Sequence, residues 1–376
     1  MSRTCPGEFR VVSYDVPDFQ GDFTCHDYGD PHSARIARLR EKYGLENVVA
    51  GCGTEFEGLL ALKRWVGKQW DHGLWYSRPE IDDGLGILEA VSRGERFFCG
   101  SYARLFVDAA TALGWPARMV AVSIEDCEAP RDYTTWNVGH AVAEVWSNGH
   151  RKWVMMDPDV NVHYERDGTP LNALEIREAW LDGVADEVEM VQDQPEFVIP
   201  DARHVRLALR DPTCRKDYDE EVNRHLFARF LRNRVMDYYA RVRVLTDRLT
   251  LEWVDRRCLP TFVSNFRPLG PVRLTSSLPD VYWSVNLVRI STHPSWDEEG
   301  ASIAVTLSHC MPFFDHYEIR FDDGAWQQCG EHFDWPMREG VQSLECRGVN
   351  SMKRTGVPSR IEVAYARPPT GTGYYP

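Results

Sequence analysis

Three residue types, in one order, set the chemistry open to this chain. Cys99 lies in the stretch FFCGSYARLFVDAATALG, His140 begins HAVAEVW forty-one positions later, and Asp157 ends KWVMMD after seventeen more. A thiol, an imidazole and a carboxylate are the parts of nucleophilic acyl chemistry: the sulfur attacks, the ring moves the proton, and the acid orients the ring.

Each of the three needs an element to hold it. Tyr102, Leu105, Phe106, Ala109 and Leu113 recur at the spacing of a helix with one buried face, and Gly114 and Pro116 stop it. Gly94 and its loop put Cys99 at or near the first turn. There the free amide groups and the positive dipole end favour an anionic sulfur and can hold an oxyanion. Cysteine at a helix start is also an ordinary buried structural residue, and that reading stays open. His140 and Asp157 flank Asn148-Gly149, the preferred two-residue loop of a tight hairpin. That turn pairs Ser147 with His150 and Trp146 with Arg151, and sets His140 directly opposite Asp157, with β-carbons roughly 5 Å apart. A one-residue bulge would put the two on opposite faces, and a solvent-facing salt bridge is the competing reading.

At 376 residues the chain can bury more than one core. Its sequence predicts an α+β fold in four parts: an N-terminal extension (1–50), a catalytic core (51–200), a helical connecting region (201–268) and a C-terminal β-sandwich (269–370). HSARIARLREKYG reads as a helix ending at Gly44, and Glu55 to Trp70 as a second with a wide apolar stripe. Leu181 to Asp201 has seven acidic residues and no Lys or Arg, which suggests a surface connection. Glu220 to Cys258 has a helical pattern rich in Arg. Beyond SNFRPLGPV the pattern turns to short alternating segments: Trp283, Val285, Leu287; Ile303, Val305, Leu307; Ile361, Val363, Tyr365. Turn signals at Asp323-Gly324 and Arg338–Gly340 separate them, as in a small antiparallel sandwich.

GERFFCGSYARLFVDAATALGWPAR, GHAVAEVW and RKWVMMDPD together resemble the core of the transglutaminase-like superfamily of cysteine enzymes. The likeness is dense from Glu55 to Tyr164, with Trp115 as one extra residue in the Gly-Pro-Ala-Arg turn. It is closer to bacterial members than to the calcium-binding animal cross-linking enzymes. The resemblance implies a papain-like α/β core with Cys99, His140 and Asp157 as its triad; the immunoglobulin-like C-terminal sandwich rests on the alternating segments alone. In the family an upstream Trp or Gln often supplies an oxyanion donor; Gln69 and Trp70 are the candidates here, with Trp136 as a possible cleft residue.

The remaining features narrow the function class. A net charge of -14 disfavours general affinity for nucleic acid or anionic lipid. No apolar run of signal or spanning length is present, so a cytoplasmic location is expected. Ten scattered cysteines without CxxC pairs read as reduced thiols. His72, His150 and His163 lack metal-ligand spacing, and no phosphate loop occurs, so neither metal nor cofactor is expected. The expected partner is a peptide, protein or small amide substrate, and oligomeric state is left open. The leading expectation is a cysteine hydrolase of amide bonds (a peptidase or amidase); acyl transfer from protein glutamine donors to an amine is one alternative. A catalytically idle peptide- or glycan-binding module is the other.

Overall fold

Local signals in the sequence fix where the first elements start and stop. In the computed structural model, which describes residues 7–70, 81–123, 139–192, 239–257, 271–296 and 300–367, the chain begins with strand β1 (Glu8–Asp15). Helix α1 (Ala34–Tyr43) ends at Gly44, whose φ of 60° is cheap only for a residue without a β-carbon. After the short α2 (Leu45–Val49), helix α3 (Glu55–Gly67) opens on a capping box between Thr54 and Glu57. Helix α4 (Gly84–Val91) is capped by Asp83, and α5 (Cys99–Ala112) follows. Strands β2 (Ala117–Ser123), β3 (Gly139–Ser147) and β4 (Lys152–Met156) come next, then β5 (Val162–Arg166) and β6 (Thr169–Pro170). Helix α6 (Ala173–Leu181), with an Asn172/Glu175 capping box, leads to β7 (Glu189–Gln192). Strands β8 (Arg241–Leu245), β9 (Thr250–Trp253) and β10 (Val272–Thr275) precede the one-turn α7 (Leu278–Val281).

The fold is mixed α+β and divides into two compact units, Thr24–Trp283 and Met1–Phe23 with Ser284–Pro376. In the first, six strands form a sheet in the order β10-β9-β8-β2-β3-β4, antiparallel except for the β10–β9 pair. Helix α5 packs on β2 and β3. Leu59, Leu62, Leu88 and Phe106 from the helices share one core with Ala143, Val145, Val154 and Met156 from the sheet. Each such large side chain contributes about 1.5–3 kcal/mol by leaving water, so the joint between helix and sheet is stiff. The extra Trp115 belongs to this core: a β-carbon added at Gly58 of α3 would lie 3.1 Å from its ring. On the other face of the sheet, buried Arg118 and Glu144 pair at 2.7 Å.

Two parts of this unit differ from the sequence-based reading. The Arg-rich stretch expected to be helical forms strands β8 and β9 where it is described, and β8 pairs directly with β2. Val242 and Val244 alternate with Arg241 and Arg243, which reach Glu252 on β9, so charge neutralisation lets arginines sit in a buried sheet. Residues 193–238 and 258–270 lie outside the described residues. The acidic stretch after Leu181 contains β7, which pairs with β5.

The second unit is a β-sandwich. Its strands are β1 and, in chain order, β11 (Val288–Trp296), β12 (Ala301–His309), β13 (Phe314–Phe321), β14 (Gln327–Cys329), β15 (His332–Pro336), β16 (Gly340–Asn350) and β17 (Ser359–Ala366). One sheet has the order β1-β17-β16-β13-β14 and the other β11-β12-β15. Ile303, Val305 and Leu307 meet Ile361, Val363 and Tyr365 in one core, as their alternation predicts. Trp283, Val285 and Leu287 are buried but precede β11 instead of forming a strand. Residues 1–50 do not group as one extension here, because β1 pairs antiparallel with β17 and joins the sandwich.

Among the described residues no helix is long and apolar enough to cross a membrane.

Candidate active site

Cys99 is the first residue of α5, and the segment ahead of it is held from three sides. The Trp70 indole N–H donates to the Phe97 carbonyl at 3.0 Å. Tyr102, one turn into the helix, stacks on Trp70 with ring centroids 4.0 Å apart and donates its hydroxyl to the Trp70 carbonyl at 2.6 Å. The N-cap residue Phe98 offers no side-chain acceptor, and its carbonyl accepts from Ser101 N at 2.9 Å. The helix thus starts without a side-chain cap. Its positive end is left to whatever lies beside Cys99. Cys99 packs with Ala103, Ala141, Phe98 and Met119 and is 8% exposed. Beside Gly100, the space where a β-carbon would point is open. The sulfur is therefore sheltered at the foot of a helix.

His140 enters at the start of β3, where it pairs with Val122 of β2. The β3–β4 register differs from the two-residue hairpin expected around Asn148-Gly149. Observed pairs run from Ser147↔Lys152 to Ala143↔Met156, so the loop has four residues, Asn148 to Arg151, with Arg151 at φ 52°. Arg151 N bonds to Asn148 O at 3.3 Å, and Glu55 accepts from the amides of Asn148 and Gly149. The register slips by two residues. A slip of two preserves the face on which each side chain lies. Continued outward, it places His140 opposite Asp159 and diagonal to Asp157.

Both acids sit on one small loop. Asp157 and Val162 exchange two backbone hydrogen bonds of 3.0 Å, closing a hairpin over residues 158–161. His140 Nε2 meets Asp157 Oδ2 at 2.7 Å, and the other oxygen, Asp157 Oδ1, accepts from Asp159 N at 3.1 Å. With Nε2 engaged, Nδ1 is the ring nitrogen left for the thiol. One ligand atom each from Cys99, His140 and Asp159 all lie within 4.8 Å of one another, and all three residues are buried. Burial alone would lower the His140 pKa. The charge and hydrogen bond of Asp157, then those of Cys99, override it and raise the ring well above its ordinary value. The buried cluster of thiol, imidazole and carboxylate fits a cysteine catalytic triad.

The other sequence candidates fall differently. Trp70 has its N–H committed to Phe97, which makes it a brace for the segment before Cys99 instead of an oxyanion donor. Gln69 turns its amide nitrogen back to the Trp65 carbonyl at 2.7 Å. Trp136 lies outside the described residues. Asp159 was not singled out as a site residue. Its signal was the Asp157-Pro158-Asp159 spacing, which sends two carboxylates to the same side of a tight loop.

A helix-borne cysteine packed against a sheet that carries histidine, with aspartate just past the edge strand, is the arrangement of a cysteine-enzyme core. Residues 44–158 match the transglutaminase-like superfamily core, and the chain carries a domain of that superfamily. No curated protein sequence matches the chain. A solved structure, the transglutaminase of red sea bream, is similar at 12% identity over 95% of this chain and 77% of that one. The TM-score of that match is 0.26.

Proposed function

We propose that the chain is a cysteine-dependent enzyme acting on amide bonds, with Cys99 as nucleophile, His140 as base and acid, and Asp157 as the orienting carboxylate. The observation that carries this reading is the 2.7 Å bond from His140 Nε2 to Asp157, made beside a sulfur at a helix start. His140 takes the thiol proton as sulfur adds to the substrate carbonyl carbon. The carbon–nitrogen bond then breaks, the departing amine receives the proton from His140, and a thioester remains on Cys99. Water completes a hydrolysis: His140 takes its proton, the acid leaves, and the thiol is restored. Hydrolysis is the proposed outcome, with a primary amine in place of water giving acyl transfer as the alternative. Amide groups at the uncapped start of α5 would stabilise the tetrahedral oxyanion.

The test is intact-mass detection of an acyl adduct on Cys99 with panels of peptide and simple amide substrates, with and without a primary amine. An adduct that decays to free acid supports hydrolysis. An adduct that passes to the amine supports transfer. No adduct and no turnover across the panels, from folded protein with a free Cys99, would leave the idle binding module as the better reading.

A further inference from the structure

We infer that Cys99, His140 and Asp159 form a site for a borderline-soft divalent transition metal such as Zn2+, which would hold the nucleophile in an inactive form. The ligand atoms come from three elements that converge at one end of the sheet: the first residue of α5, the second residue of β3, and the loop joining β4 to β5. Zn2+ takes such a mixed set of sulfur, nitrogen and oxygen, at roughly 2.0 to 2.3 Å, in tetrahedral geometry. Those bond lengths require ligand atoms roughly 3.4 to 3.8 Å apart. The three atoms already lie within 4.8 Å of one another, so closure needs side-chain movement on the order of 1 Å.

Two features point beyond mere proximity. One ring nitrogen of His140, Nε2, is held by Asp157, the carboxylate–histidine arrangement that orients metal-bound imidazoles. Asp159 is itself fixed, since its backbone N–H donates to Asp157 Oδ1 inside a loop closed at both ends. Metal uptake needs a thiolate and a neutral ring, so the protons held by the Cys99–His140 pair are released to solvent as the sulfur–metal and nitrogen–metal bonds form; no electrons are exchanged. A thiolate and a carboxylate together neutralise the dication. Three protein ligands leave a fourth position for water, so the bound state is reversible by a competing chelator. That the metal silences catalysis rests on the proposed function; that it binds does not.

The experiment titrates metal-free protein with Co2+ and reads thiolate-to-metal charge-transfer absorption. One equivalent of Co2+ should bring up the band. Cys99→Ser should abolish it, and Asp159→Ala should weaken binding at least about tenfold. In the unsubstituted protein, one equivalent of Zn2+ should protect Cys99 from alkylation, measured by peptide mass, and this arm needs no variant to fold. The inference is overturned by absence of the band, by its persistence in folded Cys99→Ser, by unchanged affinity in Asp159→Ala, or by Cys99 alkylating at the same rate with Zn2+ bound. None of these readouts uses turnover. A chain that binds Co2+ at Cys99 yet forms no acyl adduct keeps the metal site and loses the amidase reading, and the reverse result separates them equally.

Discussion

His140 reaches Asp157 from a position three residues outside the last β3–β4 pair, and the 2.7 Å bond between them is made on the diagonal. The link therefore depends on the hairpin over residues 158–161 as much as on the sheet. A loop closed by two backbone bonds replaces the rigidity that direct strand pairing would give.

Replacing Asp157 is the sharper test of that link. Asp157→Asn keeps the shape but favours the wrong ring tautomer, and should lower kcat by about 10^2–10^4-fold with little change in Tm. Asp159→Asn, which leaves the Nε2 bond in place, should cost less. Steady-state kinetics on the two variants decide the order, and equal losses would mean that the diagonal bond is not what orients the ring.

Cys99→Ala removes the nucleophile and only a single buried sulfur atom from the small cluster with Ala103, Ala141, Phe98 and Met119. Turnover should fall by at least about 10^3-fold, with Tm within a few degrees of the parent. Loss of folding in a thermal melt would show that Cys99 is structural.

Trp70→Phe retains an aromatic face for Tyr102 but leaves the Phe97 carbonyl without its indole donor. A buried acceptor stripped of its partner costs about 1–3 kcal/mol, readable in a urea melt. Because the same segment sets the position of Cys99, kcat should fall by about tenfold while KM changes little.

Acid should weaken the fold through His26. Burial, then repulsion by Arg118, outweigh Asp247 and Asp27 and lower its pKa to about 4. Between pH 6.5 and about 4 the unfolded chain holds a proton that the native ring refuses. Stability from this group is thus intact above pH 6.5 and is lost as pH falls toward 4. From pH 7.5 to 4.5 the loss should be about 2–3 kcal/mol at 1.36 kcal/mol per pKa unit. His26→Gln should flatten that part of the profile in denaturant melts; an unchanged slope would assign the acid sensitivity elsewhere.

These residues also show what a sequence records. The start of α5 was legible because Gly94, the periodic apolar face and the Gly114–Pro116 stop are local signals. The pairing of His140 with an acid was legible in face but not in register. Asn148-Gly149 looked like a complete turn, and nothing local announced that Arg151 would adopt a positive φ and lengthen it. The strands at Arg241 and Thr250 are hidden in the sequence because arginines suggest a wet helical face until their partner Glu252 is known. The pairing of β1 with β17 joins residues more than three hundred positions apart, and no short-range pattern encodes it.

The rate of Cys99 alkylation by iodoacetamide near neutral pH, in the parent and in His140→Ala, probes the sulfur–imidazole partnership most directly. Burial pushes Cys329 to about 11 and Cys310 to about 12, and raises Cys346 further, so these thiols form a slow background. Cys99 should alkylate well ahead of them in the parent and fall to their rate in His140→Ala. Equal rates for all four thiols in the parent, or a Cys99 rate indifferent to loss of the ring, would remove the catalytic pair from which the proposed chemistry is built.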